Sequence, residues 1–165
     1  MTISRVVLAM VAAAGLAAAQ GAQNTITVKV DGVGECPAVN WTFDASQATS
    51  AATGGAVAGK AQITALVVNR QLDQCSALLF QAVVVGQHVP SVVLTQYDPA
   101  THFPFLTVTL GNVLISNYQV GGSTTSPLPG ESVAFSFGSI KIDYQSPNGG
   151  RPVHAGYDFY VGKTL

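Results

Sequence analysis

Beyond residue 24, apolar and polar positions alternate with period two along most of the chain. Ile26, Val28 and Val30 interleave with Thr25, Thr27 and Lys29 and stop at Asp31-Gly32. That is the pattern of a half-buried strand ending in a turn. Val39-Asn40-Trp41-Thr42-Phe43 alternates again, whereas residues 63–68 are apolar on both parities, as in a strand covered on both faces. Residues 92–97, 106–110 and 113–118 read as further strands, with Gly121-Gly122 and Pro127-Leu128-Pro129-Gly130 as breaks. Residues 46–60, an Ala/Ser/Thr/Gly stretch, have no period and are expected to form an extended loop. One helix is predicted: Ser76 caps it, Leu79, Phe80 and Val83 share a face, Gly86 suits the position past its end, and Pro90 blocks continuation.

The parity of the apolar positions changes twice. Val133, Phe135 and Phe137 are odd, whereas Ile140, Ile142 and Tyr144 are even. Side chains alternate faces strictly, so the change needs one extra residue, expected as a β-bulge at Gly138-Ser139. Leu106, Val108 and Leu110 are even while Val113 and Ile115 are odd, with Gly111-Asn112 between as a hairpin turn or a second bend. Bent strands with one helix point to a mainly β fold, a small barrel or closed sandwich.

The first residues belong to another pattern. One charge, Arg5, precedes a continuous apolar run over residues 6–14, and Ala17 and Ala19 followed by Gln20 fit an A-x-A cleavage site. Residues 1–19 are therefore expected as a signal peptide and residues 20–165 as one domain. The run is short for a membrane anchor, and no second apolar span follows; no stable membrane insertion is expected.

Composition narrows the function. The chain is 48% hydrophobic and only 9% charged, against about a quarter charged in ordinary soluble domains. Seven basic side chains against eight acidic ones give no clustered cationic footprint for nucleic acid. So little charge indicates a surface that meets protein. Cys36 and Cys75 are an even pair in an exported chain, either a disulfide or two buried thiols.

Catalytic patterns are weak. Gly54-x-x-x-x-Gly59-Lys60 begins like a phosphate-binding loop, but Ala61 stands where a hydroxyl would hold magnesium and a strand follows instead of a helix. His88, His102 and His154 are isolated, without metal-ligand spacing. No Gly-x-Ser-x-Gly elbow marks a nucleophile. Asp143 and Asp158 could pair across strands, though lone surface carboxylates are commoner. Asn40-Trp41-Thr42 has the form of a glycosylation sequon inside a strand. Phe135, Phe137 and Tyr144 are spaced as core aromatics rather than a ligand stripe. No catalytic residue, metal site or cofactor is expected.

From Gly59 onward the chain resembles the haemolysin-coregulated protein (Hcp) family, the tube proteins of type VI secretion systems. The likeness rests on Gly59-Lys60, Arg70-x-x-Asp73-x-x-Ser76, Leu79 and Gly86-x-His88-x-Pro90 in order and spacing. Leu106-x-Val108-Thr109-Leu110-x-x-Val113-Leu114-Ile115-Ser116 is similar to the family's central strand pair. Glu131-x-Val133-x-Phe135-x-Phe137 with Ile140-x-Ile142-Asp143-Tyr144-Gln145, then Gly156-Tyr157-Asp158-Phe159, are similar to its closing strands, and Asp31-Gly32-Val33 fits near the start. The resemblance implies an all-β fold, a small β-barrel of two antiparallel sheets with one short α-helix. It further implies that the partner is the chain itself, in six-membered rings that stack into a tube, with secreted effector proteins in the lumen. Residues 46–60 would then be an arm reaching a neighbour. The family pattern carries neither a signal peptide nor a Cys36–Cys75 bridge; both would be features of an exported form, periplasmic or extracellular. An exported binding module that holds a ligand or cargo in its barrel or ring lumen is the alternative.

Overall fold

The structure is a computed structural model that describes residues 25–52 and 55–165. The expected signal peptide and Gly54 of the phosphate-loop-like motif lie outside the described residues.

The alternating segments are strands. In β1 (Ile26–Val30) the even residues are buried. The chain turns at Gly32, whose φ of 81° suits a residue without Cβ, and returns as β2 (Gly34–Pro37), antiparallel to β1. Next come β3 (Asn40–Thr42), β4 (Ala45–Ala52), β5 (Gly55–Ile63) and β6 (Leu66–Gln71). The expected loop over residues 46–60 is instead a hairpin, because β4 and β5 pair antiparallel with each other. Hydrophobic alternation registers only strands with a face on a core, and these two form a two-stranded sheet of their own. The stretch 63–68 is likewise divided: Ile63 closes β5, and β6 starts at Leu66.

The helix, α1 (Gln74–Val84), starts one turn earlier than Ser76. Asp73 is the cap, accepting from Cys75 N at 2.8 Å, and Ser76 Oγ accepts from Asp73 N at 2.9 Å, completing a capping box. Leu79 and Ala82 are buried on its inner face, but Phe80 is 52% exposed. Gly86 follows the end with φ 63°.

Three long strands then run side by side: β7 (His88–Tyr97), β8 (Pro104–Gly121) and β9 (Gly130–Tyr144), followed by β10 (Val153–Asp158) and β11 (Lys163–Thr164). Gly111-Asn112 is no hairpin turn, since β8 passes straight through it. The bulge expected at Gly138-Ser139 is also absent. The β8–β9 register steps from Gly111↔Ser139 to Val113↔Phe137 without a shift, and β7–β8 from Ser91↔Gly111 to Val89↔Val113. The buried positions nevertheless change parity on all three strands: Val92 to Val89, Leu110 to Val113, Ile140 to Phe135. Pro90, Asn112 and Gly138 stand in line at the change. Each strand turns over there together with its neighbours, so the sheet is creased and its pairing is kept. Asn112 takes φ 51° at the crease, a conformation asparagine tolerates. Gly138 lies under Tyr160, whose ring would be 2.0 Å from an added Cβ.

Among the described residues the fold is all-β with one helix, and its two antiparallel layers are the halves of this creased sheet. Neighbours run β11-β10-β9-β8-β7-β1-β2, with β6 and β3 branching from β9. Among the described residues strand pairing does not go all the way round, so the expected closed barrel is left open. The chain itself crosses one gap: Ala38 N donates to Ile26 O on β1, and Val39 N to Asn69 O on β6. Phe135, Leu66, Leu79, Leu94 and Leu110 fill the interior, each under 2% or at about 2% exposure.

Candidate assembly surfaces

The structure places Cys36, in β2, against Cys75, in the first turn of α1, and joins them by a disulfide with Cα atoms 6.2 Å apart. Both are buried. The bridge fastens the helix to the edge strand β2, and the chain between the two cysteines carries the β4–β5 hairpin.

The other singled-out residues do not converge. His154 lies opposite Asp143 on neighbouring strands, with Nδ1 2.5 Å from Oδ1, and Lys141 Nζ is 3.0 Å from the same oxygen. Partial burial pushes the Asp143 carboxyl up, but hydrogen bonds from Lys141 and His154 outweigh it and hold the group below the usual carboxylate range. Asp158 does not pair with Asp143; it accepts from the N–H groups of Tyr160 and Val161. His102 packs tilted on Tyr97, and His88 is exposed on β7. Among the described residues no group of His, Cys, Asp and Glu has the arrangement of a metal site. Gly59-Lys60 lie within β5 rather than before a helix. Asn40 is exposed and accepts from Asn69 Nδ2 at 2.7 Å. Phe135 is core, Phe137 meets Phe159 edge to face, and Tyr144 is 45% exposed beside Phe105.

A buried charged cluster was not anticipated. Arg70 and Glu131 are cross-strand partners on β6 and β9, with side chains 2% and 0% exposed. Arg70 Nε is 3.1 Å from Glu131 Oε1, and its guanidinium also pairs with Asp73, the helix cap. Tyr118 Oη donates to Glu131 Oε2 at 2.6 Å. A one-residue register shift between Ile115 and Asn117 turns Tyr118 toward the interior. Burial, then the hydrogen bond to the Glu131 carboxylate, push the Tyr118 phenol up to about 12. The cluster ties β6, β8, β9 and α1 together. The signal for it was present: Arg70 and Glu131 occupy inward positions of the Leu66/Val68 and Val133/Phe135 alternations.

Two exposed surfaces are notably poor in charge. The outer face of α1 shows Leu78, Phe80, Val84 and Val85, without a charge on the helix. An apolar cleft of about 420 Å³ opens between β10 and the base of the hairpin, over Phe43, Ile63, Ile140, Ile142, Tyr157 and Phe159. Among the described residues the hairpin's strands pair only with each other. Among the described residues no helix is long and apolar enough to cross a membrane.

A family model described as "Type VI secretion system effector, Hcp" matches residues 14–144. Protein hcp1 of Pseudomonas aeruginosa is 29% identical over 88 residues, 52% of this chain and 54% of that protein. The match thus spans about half the length of this curated relative. A solved type six secretion system protein superposes with TM-score 0.79 at 24% identity, covering 85% of this chain and 98% of its own. Hcp1 from Salmonella typhimurium gives 0.72 at 25% identity, covering 85% and 97%. A type VI secretion system effector from Yersinia pestis gives 0.67 at 22%, covering 81% and 98%.

Proposed function

Since this chain belongs to the Hcp family of type VI secretion system proteins, we propose that it is an exported structural subunit that assembles with copies of itself into six-membered rings and stacked tubes. The observation that carries the reading is the β4–β5 hairpin, which among the described strands forms a two-stranded sheet of its own. A two-stranded hairpin alone is marginal in water, so it is supported by a neighbouring copy. The uncharged face of α1 and the 9% charge content suit a subunit whose sides are covered. A ring uses heterologous contacts that close, and stacking adds an axis that does not.

The interior argues against a ligand held in the barrel itself. Its side chains are packed, and the cavity beside Arg70, Leu79 and Phe135 holds about 10 Å³, at the limit for one water. Cargo would travel in the ring lumen, as secreted effector proteins. The subunit works by binding and shape rather than by catalysis.

Export follows from the leader over residues 1–19, and the bridge between Cys36 and Cys75 is stable in an oxidising compartment, periplasm or exterior. Light scattering coupled to size exclusion tests the assembly. A mass near six subunits, with ring-shaped particles by electron microscopy, is expected; a monomer at every concentration would refute it.

A further inference from the structure

We infer that the Cys36–Cys75 bridge is made on the unfolded chain and is closed to exchange once the fold is complete, so that oxidation precedes folding. The compartment in which this happens rests on the export reading.

The folded chain gives an oxidant no way in. The bond forms by two thiol–disulfide exchanges. One cysteine, as thiolate, attacks a disulfide oxidant and displaces half of it; the other cysteine attacks the mixed disulfide, closes the bridge and displaces the second half. Two protein thiols are oxidised, one oxidant disulfide is reduced, and the two thiol protons pass to the released thiolates. The first exchange needs an exposed sulfur, but Cys36 is 2% and Cys75 5% exposed. Cys36 faces a cavity of about 10 Å³ walled by Val30, Val68, Leu79 and Phe135, far too small for any oxidant, and apolar burial disfavours the attacking thiolate.

Opening the site locally is costly from either side. Cys75 sits in the first turn of α1, so freeing it withdraws Leu79 and Ala82 from the core and parts Asp73 from Arg70. On the other side β2 is an edge strand, yet it is fastened along its length. It pairs with β1 from Val30↔Gly34 to Thr27↔Pro37, and just beyond it Ala38 N donates to Ile26 O and Val39 N to Asn69 O. Fraying of a loop reaches neither sulfur; exposure takes an opening whose free energy lies toward that of global unfolding.

The order of the chain supplies an earlier window. Threaded across a membrane from its N-terminus, the chain delivers Cys75 39 residues after Cys36. At that moment β7, β8 and β9 are still to come, and with them Val133 and Phe135 of the Cys36 cavity. Both thiols are then in water, and closing such a loop costs only the entropy of bringing its ends together. A chain that folds first seals the pair as a dithiol. The redox state of the pair therefore records whether folding came before or after the oxidant was met.

Two rate comparisons test this, on residues 20–165 made without the leader in a reducing cytoplasm and on the same chain oxidised in urea and refolded. Oxidised glutathione should bridge the folded dithiol at least about a hundredfold more slowly than the dithiol in urea, because α1 or β2 must open first. Alkylation followed by mass spectrometry counts the remaining thiols. Reduced glutathione should attack the refolded, bridged protein with the same disadvantage relative to urea, since both directions pass through one mixed disulfide. That second comparison decides the matter if circular dichroism shows the dithiol to be unfolded. Equal rates in native and unfolded protein would overturn the inference, as would a folded dithiol that oxidises as fast as the chain in urea. A leader-bearing chain recovered from a Gram-negative host folded, unbridged and with Met1 intact would refute export and support the sealing of the dithiol.

Discussion

At the scale of single residues, the buried pair Arg70 and Glu131 carries the sharpest expectations. Glu131→Leu leaves the guanidinium sealed in the interior with Asp73 as its remaining counter-charge, and the loss should be about 3–5 kcal/mol. Arg70→Met combined with Glu131→Leu should recover most of that, because no unpaired charge is then buried. Urea melts of the single and double variants read the difference directly; a double variant no better than the single would mean that the pair itself supplies the stability. Tyr118 gives a second handle on the same cluster. Its phenol ionises near 12 in the folded chain and near 10 in the unfolded chain. The folded form then holds its proton longer, so this contribution to stability is complete below pH about 10 and disappears as pH rises toward 12. Alkaline melts should fall more steeply for the wild type than for Tyr118→Phe over that interval. Neither partner was singled out in the sequence as a pair, since a lone Arg or Glu at an inward position names no counterpart 61 residues away.

Among the elements, the disulfide and the arm make opposite predictions. The bridge spans 39 residues, for which the chain-entropy estimate is about 4 kcal/mol. Reduction should therefore lower the melting temperature by more than about 10 °C. Thiol titration of the unfolded, unreduced protein should find no free thiol, and two per chain would exclude the bridge. The arm, by contrast, pairs only within itself among the described residues from Thr49 to Ala52 and from Gly55 to Ala58. Deleting residues 53–58 should leave the circular-dichroism melt within a few degrees of the wild type and weaken the stacking of any rings that form. A collapsed spectrum would place the arm in the folding unit. The hairpin was read as a loop because pairing between two strands leaves no hydrophobic alternation when neither joins the core sheet. The helix was legible, yet its start was misjudged by one turn: Asp73 and Ser76 are both good caps, and their reciprocal bonding decides which one is first.

For the whole molecule, export and assembly are separate expectations. The leader over residues 1–19 should be removed in a Gram-negative host, giving a mature N-terminus at Gln20 or within a few residues by mass spectrometry. An intact Met1 on soluble protein would instead support loading from the cytoplasm. Sheath, baseplate and spike components encoded beside this chain would tie it to a contractile machine.

Alternation, the breaks at Gly and Pro, the helix, the all-β class and the family likeness were all readable in the chain, because each is a local pattern of side chains facing a core or a turn. The parity changes around Asn112 and Gly138 were readable as well, but their meaning was not. A parity change in one strand is a bulge if its neighbour stays in phase and a crease if the neighbour changes with it, and register is a property of two strands at once. Only the assembled sheet shows Pro90, Asn112 and Gly138 in one line. The same holds for Cys36 with Cys75 and for Arg70 with Glu131: their chemistry is in the sequence, but proximity across dozens of residues arises when hydrophobic burial closes the two halves of the sheet on one core.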